Sequence, residues 1–310
     1  MTDTRAPRPT DLVALVTFDE EVRENQAVTR DHLGVPNEPP RPLAAAIEQW
    51  LHLGRRTWIN VSGREIRGIA TARDLTSRSA WEIDTLLDAP EAGEQVIVDL
   101  LRQAARAARE ATATHLLLRT PVDSPASQEA PRAGFRPVVQ ERLWIGSVDP
   151  LRASESSVHV REATEADTYA RFQVYSRALP VAAREALAMT VEEWTAVQDY
   201  RWVDRGGVTL VAERDSRVVA SARCARSGQF TLAAEDGAVE AGAALLSAMA
   251  HLHGGPATER FALAPQGSVA EDVLRRGGMT PAAEYALFCL RLRHPVREEV
   301  HARAGVPITG

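Results

Sequence analysis

An internal repeat constrains this chain more than any other feature. The second half of its 310 residues passes the same landmarks as the first, in the same order. Trp50 and Thr57 match Trp202 and Thr209 at an offset of 152, and IRGIATAR, ending at Arg73, matches SRVVASAR, ending at Arg223, at 150. Leu100 and Leu101 match Leu245 and Leu246 at 145. Pro121 matches Pro265, and GFRPVVQERLW matches GMTPAAEYALF, with Gly134 on Gly278 and Pro137 on Pro281, all at 144. The offset shrinks only in small steps, and the steps fall at turns, as expected of a duplicated domain with loop deletions in its second copy. The length suits two domains of about 150 residues each. The expected division is a loose tail at 1–10, domain one at 11–146, a polar linker at 147–157, domain two at 158–293 and a second tail at 294–310.

Within each copy the clearest unit is a strand, a loop and a long helix. In the first copy it is AWEIDTLLDAPEAGEQVIVDLLRQAARAARE, from Ala80 to Glu110. Trp81, Ile83 and Thr85 alternate with Glu82, Asp84 and Leu86, the period of a strand. Pro90 and Gly93 break it. Ile97, Leu100, Leu101, Ala104, Ala105 and Ala108 then form one stripe of an amphipathic helix, with Glu91 and Glu94 at its positive end. Before this unit the pattern predicts a strand at 12–18, a helix at 20–33, a proline-stiffened loop at 34–42, a helix at 43–54, and two strands meeting in a hairpin near Gly63 and Arg64. After it come a buried strand at 114–121, a short helix ending at Gly134 and a last strand at 137–145. The second copy reads likewise, with VREATEAD as strand and helix start, VEEWTAVQDYRWV as helix, and EAGAALLSAMAHLH as its long helix.

Composition excludes several classes. The net charge of −6 is spread evenly, 19 Arg against 23 acids in residues 1–155 and 17 against 19 after, so no nucleic-acid surface is expected from bulk charge. No apolar run has the length of a membrane span and MTDTRAPRPT lacks the apolar core of a signal peptide, so a cytoplasmic location is expected, with no membrane partner. All basic residues are arginine, as a GC-rich genome would produce. Cys224 and Cys289 sit in apolar segments and read as buried free thiols. His251 and His253 have no third ligand beside them, so no metal is expected. Ser62, Ser79 and Ser124 have no His and Asp to make a triad.

The element order, β-α-α-β-β-β-α-β-α-β in each copy, together with VREATEAD, the strand-loop-helix units and the short helices closing in RAGF and RRGGM, resembles the GNAT acetyltransferase superfamily. The resemblance covers nearly the whole chain. It implies an α/β (α+β) fold of two tandem GNAT-like domains, each a mixed, mostly antiparallel sheet flanked by helices. In each, the fourth and fifth strands would part to admit acetyl-CoA as co-substrate. The family's phosphate loop, Gln or Arg, two residues, Gly, one residue, Gly or Ala, would bring backbone N–H groups to the CoA pyrophosphate. By position, the cofactor-binding residues implied are Leu86, Leu87, Gly93 and Gln95 in copy one, and Ala234, Gly237 and Gly242 in copy two. Neither loop matches the pattern: Gln95 and Ile97 replace the glycines in copy one, and Glu240 stands at the first glycine position of copy two. The tyrosine that often protonates the CoA thiolate is also missing, with Ala130 and Leu274 in its place.

The resemblance also implies a carboxylate on the fourth strand as general base. Glu82 and Asp84 fit that position in copy one, where copy two has Thr231 and Ala233; the alternative is an ordinary charged strand face. Tyr285 on the last strand is a candidate acid, or simply a strand aromatic. Two functions follow. One is an N-acetyltransferase moving acetyl from acetyl-CoA to a small amine, one copy active and the other supporting. The other is a non-catalytic pair serving as scaffold or small-ligand binder. The sequence leaves the acceptor and the oligomeric state open.

Overall fold

The first ten residues are not a tail. In a computed structural model of the chain, which describes residues 2–20, 24–29, 46–47, 55–75, 80–90, 93–148, 158–198, 207–252 and 258–292, strand β1 (Thr2–Arg5) pairs antiparallel with β2 (Arg55–Ser62), Thr2 facing Ser62 and Arg5 facing Ile59. Arg5 then clamps Asp11 with two nitrogens at 2.7 and 2.9 Å, and the Asp11 carboxylate accepts from the Arg8 N–H at 2.7 Å. This closes a 3-10 turn over Pro9–Asp11 and launches helix α1 (Leu12–Glu20). LVALVTF, expected as a strand from its valines and threonine, is therefore helical. Leu15 and Phe18, three residues apart, are buried on one helix face, and tertiary burial overrides β propensity. The helix expected over 20–33 is also corrected, because residues 24–29 are non-helical and mostly buried. The loop at 34–42 and all but two residues of the helix at 43–54 lie outside the described residues.

The remainder of the first half follows its periodicities: β3 (Glu65–Asp74), β4 (Ala80–Asp88), α2 (Glu94–Glu110), β5 (His115–Pro121), α3 (Pro125–Glu129) and β6 (Arg136–Gly146). Gly63 takes φ +64° in the β2–β3 turn, a conformation that favours glycine. The stripe on α2 is buried against β2, β3 and β4, with Trp81 in the same core. Ser124 caps α3 by accepting the Ser127 N–H at 3.2 Å.

The second half repeats this order as β7 (His159–Glu162), α4 (Thr168–Ala178), α5 (Val181–Leu187), α6 (Val191–Gln198), β8 (Val208–Arg214), β9 (Arg217–Cys224), β10 (Gln229–Ala234), α7 (Val239–Ala250), β11 (Arg260–Pro265), α8 (Val269–Arg276) and β12 (Thr280–Arg291). It opens as the first half does. Arg161 clamps Asp167 through two nitrogens, both at 2.8 Å, and Asp167 accepts from the Thr164 N–H at 2.7 Å. Arg5 and Asp11 thus correspond to Arg161 and Asp167, and the repeat reaches back into the residues expected as a tail.

All the described strands join in one sheet, in the order β1-β2-β3-β4-β5-β12-β6-β11-β10-β9-β8-β7. The order is symmetric about the β12–β6 pair, and it departs from two self-contained domains. Each half gives its last strand to the other: β12 pairs with β5, from Tyr285↔Pro121 to Arg291↔His115, and β6 pairs with β11, from Arg260↔Gly146 to Pro265↔Glu141. Helix α5 also crosses, packing Ala183 and Leu187 with Leu117 and Val138 of the first half.

Candidate functional site

Both halves contain a parting of two parallel strands. In the first, β4 and β5 pair only over Ala80↔His115, Trp81↔Leu116 and Glu82↔Leu117. Beyond that the gap is filled by the chain's own residues 25–29. The Asn25 side chain donates to the Asp84 carbonyl at 3.0 Å and accepts the Leu86 N–H at 2.8 Å, while the Gln26 N–H donates to the Leu86 carbonyl at 3.0 Å. From the other side of the gap, the Arg119 carbonyl accepts the Val28 N–H at 2.8 Å. Gln26 reaches further. Its amide donates to Asp88 Oδ1 at 2.5 Å and accepts the Ala126 N–H at the start of α3 at 2.7 Å. The segment therefore satisfies backbone groups that a parted pair of strands would otherwise leave open.

In the second half β10 and β11 pair only over Gln229↔Phe261 and Phe230↔Ala262. Their gap opens into a cleft that is continuous with solvent. Its floor is Ser221 and Arg223 of β9 with Thr231 and Ala233 of β10; Leu263 and Pro265 of β11 form the far wall, with Glu141 of β6 and Leu287 of β12 beside it. Arg171, Tyr175 and Ala178, a stripe on α4, roof the cleft together with Trp194 of α6, and Ser268 and Ala270 lie at the start of α8. Ala270 is the counterpart of Ala126, which in the first half binds Gln26.

The residues expected at a site are dispersed by this arrangement. Glu82 and Asp84 are on the buried sheet of the closed half. Arg73 holds Glu82 through Nε at 3.2 Å and Nη2 at 2.7 Å; Asp84 is held by Arg55 at 2.9 Å and by a short hydrogen bond from Thr71. The pairing continues across the sheet, with Arg119 3.9 Å from Glu82 and 2.7 Å from Glu141. Burial works against the Arg119 charge, but Glu141, with Glu82 beyond it, more than compensates, so its guanidinium is more basic than usual. Tyr285 stands opposite Glu141 in the sheet. Burial lifts its phenol pKa above the ordinary value, and Arg119 pulls the other way.

Asp84 is also the extra residue of a β-bulge, since Thr71 pairs with Thr85 and Ala72 with Ile83; β10 pairs with β9 without such a break. Leu86 gives its backbone to residues 25 and 26, and Leu87 lies in the core with Leu15 and Phe18. Gly93 is the residue before α2, at φ +78°, and Gln95 donates to Asp99 at 2.7 Å on the helix surface. In the second half Ala234 is buried under α7 and Gly237 takes φ +77° in the turn before that helix. Gly242 lies inside α7, where a Cβ would come 2.9 Å from Val273 Cγ2, so its smallness serves helix packing. Ile97 is buried beneath α2, and Glu240 is exposed beside Arg214 at 3.7 Å, so neither fills a cleft.

Sequence reasoning missed Arg171, Tyr175, Trp194 and Glu141. The i, i+4, i+7 spacing of Arg171, Tyr175 and Ala178 was available, but a stripe of mixed chemistry points to no ligand without the sheet beneath it. Among the described residues no cluster of His, Cys, Asp and Glu is placed to hold a metal, and no helix is long and apolar enough to cross a membrane.

No protein-family model matches the sequence, and no curated protein matches it. Solved structures do. A GCN5-related N-acetyltransferase from Sphaerobacter thermophilus superposes with a TM-score of 0.53 at 18% identity, over 95% of this chain and 97% of that one. A proposed acetyltransferase from Pyrococcus horikoshii superposes at 0.50 with 13% identity, over 94% of this chain and 90% of that one. A tandem GNAT protein from the clavulanic acid biosynthesis pathway gives 0.48 at 12% identity, over 95% of this chain and 100% of that one. The chain has a tandem GNAT-like fold, matched over 95% of its length.

Proposed function

We propose, from the tandem GNAT fold that spans the chain, that this protein is an N-acetyltransferase working in its second half, with the first half as structural support. The observation that carries this reading is the contrast between the two partings: Asn25 and Gln26 are hydrogen-bonded into the first, while the second opens into the cleft between β10 and β11. Acetyl-CoA would enter beside β10, whose backbone edge beyond Phe230 is not paired with β11. An amine held under α4 would attack the thioester carbon; the C–N bond forms, the C–S bond breaks, and the CoA thiolate leaves. Backbone N–H groups along the parted strand would polarise the carbonyl. Glu141, the one carboxylate lining the cleft among the described residues, is the candidate to take the amine proton.

Titration calorimetry with acetyl-CoA tests this directly, followed by thiol release in the presence of small amines. The expected result is one site per chain, lost when Ala233→Trp fills the cleft. A second reading, a ligand-binding pair without catalysis, is favoured by the bulge at Asp84 being confined to the closed half. Binding without thiol release across a broad amine panel would select it, and absence of binding would discard acetyl transfer altogether.

A further inference from the structure

We infer that Thr114 and His115, where β5 begins in the first half, are positioning residues for the second-half site: with Glu193 they make a proton-dependent latch that holds α6, and so Trp194, over the cleft. What the roof encloses rests on the acetyltransferase reading; the latch does not. His115 is 2% exposed. Its Nε2 is 2.8 Å from the Leu187 carbonyl at the end of α5, and its Nδ1 is 2.9 Å from Thr114 Oγ1. Thr114 Oγ1 is in turn 2.8 Å from Glu193 Oε1 in the first turn of α6, and His115 Nδ1 is 3.6 Å from the same oxygen. The other Glu193 oxygen accepts the Thr190 N–H at 2.9 Å and the Thr190 hydroxyl accepts the Glu193 N–H at 3.2 Å, so the carboxylate is fixed to the start of the helix. Trp194, the next residue, lines the cleft, with its ring 5.8 Å from those of both Tyr175 and Phe172. Its indole N–H has no hydrogen-bond partner among the described residues, so packing and the anchor at Glu193 set its place. At the offset of 144 that joins Pro121 to Pro265, His115 corresponds to Glu259, which is exposed, so the second half has no such buried ring at this position.

This run of contacts is one hydrogen short when the ring is neutral. A carbonyl only accepts, so Nε2 carries a hydrogen toward Leu187. In a neutral ring Nδ1 is then bare and needs the Thr114 hydrogen. The Glu193 carboxylate needs the same one, and a hydroxyl has only one to give. With Nδ1 protonated the conflict ends: Nδ1–H donates to Thr114 Oγ1, Thr114 donates to Glu193, and every contact is made. Glu193 and the negative end of α5 favour the imidazolium. Arg291, opposite His115 on β12, opposes it but is exposed, where water and salt screen its charge. Cys289, two residues back on the same strand, stays a neutral thiol because burial pushes it up to about 12. Ala80, opposite on β4, brings no charge, and Arg184 and Glu185 of α5 and Glu192 of α6 are exposed. A proton arriving at His115 therefore completes the link from β5 to α6. Its loss leaves one group of the link without a hydrogen, a cost that is relieved when the roof lifts.

The full chain labelled with ¹⁵N tests this without any ligand. The Trp194 indole signal is identified by its loss in Trp194→Phe and followed between about pH 5 and pH 8, the range in which an imidazole changes charge. In the native chain the signal should move with pH. Glu193→Gln should stop the movement and keep the signal at its low-pH position. Its amide can donate to Thr114, which then donates to the neutral ring, so the link closes with no added proton. Thr114→Val, which cuts the link, should hold the signal at its high-pH position throughout. A Trp194 signal that ignores pH in the native chain, or one that moves undiminished in Glu193→Gln, overturns the latch. Calorimetry with acetyl-CoA on the same samples judges the other reading separately: the expected signals without acetyl-CoA binding would uphold the latch and discard acetyl transfer.

Discussion

Glu82 and Asp84 show why a charged pair on a strand is ambiguous in sequence. Alternation put both acids on one strand correctly, but their partners, Arg73 and Arg55, come from neighbouring strands and are invisible to local pattern. Glu82→Gln should destabilise the fold by about 1–3 kcal/mol, because it replaces the buried, charge-assisted bonds from Arg73 with neutral ones. Urea unfolding measures this, and acetyl-CoA binding to the second half should persist in the folded fraction. The opening clamps give a pH signature. Arg5 holds the Asp11 carboxyl below its ordinary range, against the effect of burial, and Arg161 does the same for Asp167. Both contributions are complete above the unfolded pKa of 3.8 and are lost as pH falls below it. Asp167→Asn should therefore flatten the acid limb of stability against pH. Cys289 acts at the other end. Burial pushes its thiol up to about 12, with Arg291 opposing, from an ordinary 9.0. The neutral thiol is the favoured folded form, so this contribution holds below pH 9.0 and fades as pH rises toward 12. Iodoacetamide at pH 8 should leave Cys289 unmodified until the chain is unfolded, and rapid labelling of the native protein would contradict its burial.

Long helices and hairpins were legible because their signals are periodic and local: the stripe on α2 and the turn at Gly63 need no distant partner. The filling of the first parting was not. Asn25 and Gln26 are polar residues in a buried, irregular segment, and what they bond to lies about sixty and a hundred residues further on. Gln26→Ala should cost about 1–3 kcal/mol by stranding the buried Ala126 N–H. Hydrogen exchange at the Ala126 amide should accelerate, with acetyl-CoA stoichiometry still one; a rise to two would mean the segment yields its place to ligand. Gly242 was legible as a small residue but not in its role. An alanine in a helix gains about 1 kcal/mol over glycine. Here its Cβ would meet the stiff Val273 side chain at 2.9 Å, and overpacking costs about 1–3 kcal/mol. Gly242→Ala should therefore be destabilising, and a double-mutant cycle with Val273→Ala should show the two changes partly offsetting each other.

The exchange of last strands could not be read from the chain at all, since β6 and β12 carry the same pattern whichever fifth strand they join. Physics nevertheless favours the exchanged form. Two self-contained halves would each close on their own last strand, forfeiting the long antiparallel pair from Thr280↔Ile145 to Cys289↔Arg136. They would also withdraw α5 from the first half, breaking the 2.8 Å bond between the His115 ring and the Leu187 carbonyl. Each half of the exchanged sheet is incomplete without the other, because a missing β12 leaves the seven residues of β5 with a bare edge. A chain divided between Val148 and Val158 should thus yield pieces that aggregate when made singly but copurify in a 1:1 complex when made together, melting in a single transition. If each piece instead emerges as a folded monomer and the two do not associate, the strands are not exchanged in solution, and the two halves are independent domains after all.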